Sequence, residues 1–94
     1  MRNLVWGNTF IKALTRTLKK HPGIKNDIEE TLKLLAEDPF DKRLSTHKLK
    51  GKLSGAWACS ASYDLRIIFD FVKSPEAHED EILLIEIGTH DEVY

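Results

Sequence analysis

Apolar residues recur at helical spacing through the first half of the chain and alternate through the second, with the change between Phe40 and Gly55. Leu4, Val5 and Trp6 read as a short first strand. Gly7-Asn8-Thr9 breaks it, and Asn8 or Thr9 is expected to cap a helix by accepting an unpaired backbone N–H. Phe10, Leu14 and Leu18, with Ala13 and Thr17 beside them, form the apolar stripe of that helix, and Lys12, Arg16, Lys19 and Lys20 lie mostly off it. It ends near His21-Pro22-Gly23, where Pro22 suits the start of a second helix. That helix runs from about Pro22 to Glu37, with Ile24, Ile28, Thr31, Leu32 and Leu35 on one side, and Asp38-Pro39 stops it. Two such helices joined by a few residues pack as an antiparallel hairpin.

From Phe40 to Gly55 no period holds, and Gly51, Ser54 and Gly55 mark a loop. Strand patterns follow. Trp57 to Ala61 alternates large and small residues. Leu65, Ile67, Phe69 and Phe71 then share one face, against Asp64, Arg66, Ile68 and Asp70 on the other. Ser74 to His78 is a turn or loop. In the last strand, Glu81 to Ile87, alternation places Leu83, Ile85 and Ile87 on one face and Ile82, Leu84 and Glu86 on the other. The expected order is β-α-α-β-β-β, an α+β two-layer fold. Its antiparallel sheet is packed on the helical hairpin, the first strand joins at the edge or centre, and the far face is partly open.

At 94 residues a single domain spanning 1–94 is expected. With 41% hydrophobic and 31% charged residues the chain belongs with globular proteins and not with disordered ones. The lone Cys59 excludes an internal disulfide framework and suits a reducing, cytoplasmic setting. The apolar run at Leu4–Trp6 is too short for a signal peptide core or a membrane span. A net charge of −1 counts against broad affinity for nucleic acid. Its distribution is uneven: Lys42, Arg43, Lys48, Lys50 and Lys52 form a basic stretch, and Glu76 to Glu92 is acidic throughout. Such segregation is either a solvated surface of mixed sign or a partner footprint.

Candidate chemistry is confined to a few polar residues. Histidines and the one cysteine show no zinc spacing, and neither a phosphate-binding glycine loop nor a serine-nucleophile elbow is present. Arg66, flanked by apolar residues, is placed by strand parity on the side away from the helices. There it either clamps a phosphate or pairs with Asp64, Asp70 or Glu86. Asp64 either orients a base or pairs with Arg66. His90 follows Gly88-Thr89 directly after a strand, and histidine is the residue type suited to moving protons near neutral pH, although a surface role is open to it as well. Tyr94 either stacks on a nucleobase or folds back as an apolar anchor. His47 sits in the basic loop. Cys59 and Trp57 share a strand face and belong to the core, while His21 and His78 lie at turns with no assigned role.

Three segments resemble the RelE/ParE superfamily of bacterial toxins, and its YafQ-type branch most closely. They are His47-Lys48-Leu49-Lys50-Gly51, Tyr63-Asp64-Leu65-Arg66-Ile67-Ile68-Phe69 and Ile87-Gly88-Thr89-His90-Asp91-Glu92-Val93-Tyr94. The resemblance covers essentially the whole chain, and the Gly-Thr-His piece with its terminal aromatic is the most specific part. It implies a type II toxin that cleaves mRNA in the ribosomal 30S A site without metal or other cofactor. The 2′-hydroxyl would attack the adjacent phosphate, leaving a 2′,3′-cyclic phosphate. It implies that His90 is catalytic, as general acid or base, and that His47 and Asp64 supply the complementary proton transfer. Arg66 would stabilise the phosphorane. Tyr94 would stack on the target nucleotide, and Lys48, Lys50 and Lys52 would hold phosphates. A cognate antitoxin is the implied protein partner, in a hetero-oligomer. Two departures stand out: Ser60 replaces a second strand histidine of the YafQ pattern, and the charge is less basic. The alternatives are a ParE-like gyrase inhibitor acting by binding, and a weakened toxin that only binds its antitoxin.

Overall fold

The computed structural model describes residues 1–51, 55–62, 64–76 and 78–93. β1 (Leu4–Trp6) leads directly into α1 (Asn8–Lys20), and Gly7 between them occupies the N-cap position. Asn8 and Thr9, expected as caps, lie inside the first helical turn instead. The reason is a close approach of backbone to backbone. The Gly7 N–H donates to the Leu84 carbonyl at 3.1 Å, and a Cβ on Gly7 would stand 2.6 Å from that oxygen. Only glycine leaves room for this contact.

Pro22–Ile24 makes one 3₁₀ turn before α2 (Lys25–Glu37), so the second helix starts as its proline requires. Phe10, Ala13 and Thr17 of α1 and Ile28, Thr31, Leu32, Leu35 and Ala36 of α2 are buried, as the 3.6-residue stripes predict. The Thr31 hydroxyl is satisfied by the Asp27 carbonyl at 2.7 Å and reaches the Ala61 carbonyl at 3.2 Å, tying α2 to the sheet.

The stretch expected to be loop contains a 3₁₀ turn at Lys42–Leu44 and a two-residue strand, β2 (His47–Lys48). Asp41 caps the 3₁₀ turn by accepting the Arg43 N–H and both guanidinium contacts, which hold its carboxyl down at about 2. β3 (Trp57–Ser62), β4 (Leu65–Val72) and β5 (Glu81–Thr89) form the antiparallel meander, followed by a short helix, α3 (His90–Val93). The sheet order is β1-β5-β4-β3-β2. β1 therefore sits at an edge, and its pairing with β5 is parallel, so the sheet is mixed rather than purely antiparallel.

Two bulges interrupt the ladders. Phe69 pairs with Leu84 and Ile68 with Glu86, leaving Ile85 as the extra residue of β5. Ser60 pairs with Arg66 and Ser62 with Leu65, leaving Ala61 extra on β3. The first bulge corrects the expected faces of the last strand. Ile82, Leu84 and Ile87 all enter the core against the helices, and Ile85 turns to the far side. An inserted residue resets the parity, and strict alternation cannot register that.

The main core joins Phe10, Ala13, Ile28, Leu32 and Leu35 to Cys59, Ile67, Phe69, Ile82, Leu84 and Ile87. A second, smaller cluster of Ala58, Ile68 and Val93, with Leu49, Ala56 and Ile85, lies on the other face. Part of the face expected to be open is thus covered by α3. Among the described residues no buried side-chain nitrogen or oxygen lacks a partner, and no helix is long and apolar enough to cross a membrane.

Candidate active site

Residues directly opposite one another in neighbouring strands project to the same face. Ser60, Arg66 and Gly88 form one such row across β3, β4 and β5. His47, Ala58, Ile68 and Glu86 form a second row on the same side. That side carries the small Ala58–Ile68–Val93 cluster, so it is the face away from the helices. The side predicted for Arg66 is the side observed. Its guanidinium is half-buried, with Nη1 donating to the Leu65 carbonyl at 3.1 Å. Both bulges flank the row that contains it. Bulges re-aim neighbouring side chains. His47 lies two strand spacings away from β4, roughly 10 Å.

The His47 ring has its Nδ1 3.1 Å from the Ser45 carbonyl oxygen. A carbonyl only accepts, so Nδ1 is the donor in this contact. His90 opens α3, two residues past Gly88, at most roughly 7 Å of chain from the Arg66 row. Its Nδ1 is 3.7 Å from the Asp91 carboxylate, with both side chains well exposed. α3 packs back over β4 and β5, which brings His90 to the same end of the sheet as Arg66.

Three contacts hold that turn. The Glu92 Oε1 accepts the Thr89 N–H at 2.9 Å, one half of a capping box. Glu92 Oε2 accepts from the Lys20 ammonium at 3.3 Å, tying the turn to the end of α1. The Thr89 N–H, followed by Lys20, holds the Glu92 carboxyl below its usual value. Val93 is buried in the far-face cluster. Gly88 admits the turn closely, because a Cβ there would lie 3.1 Å from Glu92 Cβ and from Val93 Cγ1. Lys20 was read from the sequence only as a residue off the helix stripe, and Gly88 and Glu92 only as members of the tail motif with no role of their own, although Thr89-His90-Asp91-Glu92 carries the T-x-x-E spacing of a capping box.

Other expected residues fall elsewhere. Asp64 stands in the turn before β4, not on the strand, where it lines a cavity of about 190 Å³ with His21, Ile24, Ser62, Leu65 and Thr89. Lys48 pairs with Trp57, on the opposite face from His47, and its ammonium lies 5.8 Å from the Trp57 ring centroid. Lys50 is exposed just beyond β2. Tyr94 and Lys52, expected to bind the nucleotide and its phosphates, lie outside the described residues, as does Tyr63 of the strand motif. Cys59 and Trp57 join the main core as expected. Among the described residues no group of three or more His, Cys, Asp or Glu is placed to hold a metal ion. The register puts the His47 imidazole and the Arg66 guanidinium on one sheet face, and His90 opens the turn at the end of that sheet; these are residue types able to move protons and to neutralise a phosphate.

No curated protein matches the chain. Solved structures do. A copper-bound mutant toxin from Helicobacter pylori is 27% identical, with each chain covered over 100% of its length and a TM-score of 0.70. YafQ from E. coli strain BL21(DE3) is 17% identical, covers 100% of this chain and 99% of its own, and superposes with a TM-score of 0.79. The same toxin in the E. coli DinJ-YafQ complex is also 17% identical over the same shares, at a TM-score of 0.76. Residues 2–94 match the model of a family described as the bacterial toxin of type II toxin-antitoxin system, YafQ. Matched from its second residue to its last, this chain belongs to the YafQ family of type II toxin-antitoxin toxins.

Proposed function

We propose that the toxin is a ribosome-dependent endoribonuclease that cleaves mRNA on the sheet face away from the helical hairpin. One observation carries this reading: the strand register sets His47 and Arg66 on that face, and the turn opened by His90 folds onto the same sheet end. An attacking 2′-hydroxyl and a departing 5′-oxygen need proton transfers at opposite ends of one phosphate. Two histidines on either side of an arginine meet that need in outline.

In this scheme His90 protonates the leaving 5′-oxygen or takes the 2′-hydroxyl proton. His47, whose Nδ1 is held by the Ser45 carbonyl, and Asp64 in the turn before β4 supply the complementary transfer. Arg66 neutralises charge developing on the phosphorane. Tyr94 stacks on the nucleotide, Lys50 and Lys52 hold messenger phosphates, and Lys48, on the opposite face from His47, holds ribosomal ones. A cognate antitoxin holds the toxin inactive, by likeness to the DinJ complex of E. coli YafQ.

The test is expression of the wild type and of His90→Ala, with mapping of mRNA ends on translating ribosomes. Codon-phased cleavage in the wild type, reduced at least a hundredfold in the variant, is expected. Cleavage unchanged in His90→Ala would sink the assigned role. Growth arrest with intact mRNA and altered DNA supercoiling would replace the ribonuclease by a gyrase inhibitor.

A further inference from the structure

Glu86 stands on the sheet face that carries Arg66. Its partner on β4 is Ile68, two residues along from Arg66, which itself pairs with Gly88. Glu86 and Arg66 are therefore diagonal neighbours on adjacent strands, roughly 7–8 Å apart where their side chains begin. The β5 bulge is what puts Glu86 there. Without the extra Ile85, alternation from Ile82 and Leu84 would turn Glu86 into the core beneath the helices. With it, Leu84 and Ile87 enter the core and Glu86 is presented on the far face. Bulges beside reactive centres re-aim side chains in this way.

Glu86 is half-buried, and its Oε1 accepts the Ile87 N–H at 3.3 Å. Among the described residues no ion pair engages its carboxylate. A carboxylate so close to a guanidinium that binds phosphate repels that phosphate, and so weakens binding unless it serves the reaction. Its position suits such service. Along the chain Glu86 comes two residues before the Gly88 that faces Arg66, and His90 comes two residues after it. Glu86 is one strand spacing from β4, roughly 5 Å, whereas His47 is two spacings away, roughly 10 Å.

We infer that Glu86 is the general base that takes the 2′-hydroxyl proton. This role rests on the ribonuclease reading and moves one proton transfer from His47 and Asp64 to Glu86. The Glu86 carboxylate accepts the proton as the 2′-oxygen bonds to phosphorus. The bond from phosphorus to the 5′-oxygen breaks, and the His90 imidazolium gives that oxygen its proton. A 2′,3′-cyclic phosphate and a 5′-hydroxyl result. Glu86 then releases its proton to water and His90 takes one up, so no further reactant is consumed.

Single-turnover cleavage is measured with purified toxin on ribosomes carrying either normal mRNA or mRNA with sulfur in place of the scissile 5′-oxygen. Thiols ionise near about 8.5, so a thiolate leaves without a proton, and sulfur removes the need for the acid but not for the base. Glu86→Gln keeps the side-chain size and an acceptor oxygen for the Ile87 N–H. It is expected to lower the maximal rate about a hundredfold or more with either leaving group, at an unchanged half-saturating toxin concentration. His90→Ala should be slow with oxygen and recover with sulfur. Glu86→Asp, which withdraws the carboxylate by one methylene, should cut at an intermediate rate with either group, and His47→Gln should lose much less than Glu86→Gln. Wild-type cleavage in Glu86→Gln overturns the role and leaves the ribonuclease reading intact. Faster cleavage does the same and marks a carboxylate that only repels phosphate. Recovery of Glu86→Gln with sulfur, or a loss confined to the half-saturating concentration, also overturns it. A wild type that cuts neither mRNA overturns the ribonuclease reading and this role with it.

Discussion

Glu92 accepts the Thr89 backbone N–H at 2.9 Å, and this bond closes the turn on which His90 stands. The same carboxylate reaches Lys20 at 3.3 Å, so one side chain fastens the turn to its own start and to the end of α1. An exposed ion pair contributes little to global stability. Its effect here is on geometry, because a loosely held general acid or base misses the reacting atom. Glu92→Ala is expected to leave the unfolding midpoint nearly unchanged and to lower mRNA cleavage about tenfold. Cleavage at wild-type rate in a variant whose Val93 methyl resonances have shifted would refute the coupling.

Acid should release this turn before it unfolds the protein. The Glu92 carboxyl lies below its ordinary value of 4.5, chiefly through the Thr89 N–H. A depressed folded-state value means that the stabilisation is fully present above 4.5 and is lost as pH falls through the lower folded value. The Thr89 amide should therefore titrate below 4.5 in NMR spectra, and Lys20→Met should move its midpoint upward. A Thr89 amide that titrates above 4.5 contradicts this assignment.

Two glycine substitutions should differ in kind. Gly7→Ala places a methyl 2.6 Å from the Leu84 carbonyl oxygen, which belongs to a central part of the sheet and cannot yield. A loss of about 2–3 kcal/mol in urea unfolding is expected, by analogy with overpacked cores. Gly88→Ala meets the Glu92 and Val93 side chains at 3.1 Å, on a short turn that can shift. Its cost should be nearer about 1 kcal/mol, with cleavage reduced more than stability. Equal stability losses in the two variants would show that the Gly88 contact is as rigid as the Gly7 one.

Cys59 is fully buried between Ile67 and the helices, and burial pushes its thiol up to about 12. Because the thiolate is the reactive form, alkylation at pH 8 should be negligible in the folded toxin and rapid in urea. Mass spectrometry after an iodoacetamide pulse measures it. Fast labelling of native protein would mean that β3 separates from the helices far more often than this packing permits.

The main core should respond as a single unit. Leu35→Ala removes a fully buried side chain that packs with Phe10, Phe69 and Leu84 in the main core, and should cost about 2–5 kcal/mol. Val93→Ala, in the small far-face cluster, removes less volume and should cost about 1 kcal/mol. Denaturant titrations of both variants decide the point, and a larger loss for Val93→Ala would mean that α3 is part of the principal core.

Both helices were legible because their signal is local. Phe10, Ala13, Thr17 and Ile28, Thr31, Leu35 repeat at a spacing that the helix itself imposes. The face of Arg66 was legible for the same reason, since parity holds along an unbroken strand. The resemblance of the Gly88-Thr89-His90 segment to the YafQ pattern identified the family, and the match over residues 2–94 agrees.

What the chain alone did not disclose depended on partners distant in sequence. Ile85 is extra only relative to β4, so the reversal of faces between Leu84 and Ile87 follows from how two strands align. β1 pairs parallel with a strand 78 positions later, and β2 exists only because β3 offers it an edge. Asp64 left the Arg66 strand because the Ala61 bulge shortens the β3–β4 ladder. The turn carrying His90 shows this division most clearly. Its capping spacing is written in four consecutive residues, but its placement over the sheet required Lys20 of α1, the absence of a side chain at Gly88, and an apolar patch built by Ala58 and Ile68. Local periodicity sets which elements form, and packing between elements far apart in the chain sets where their polar residues meet.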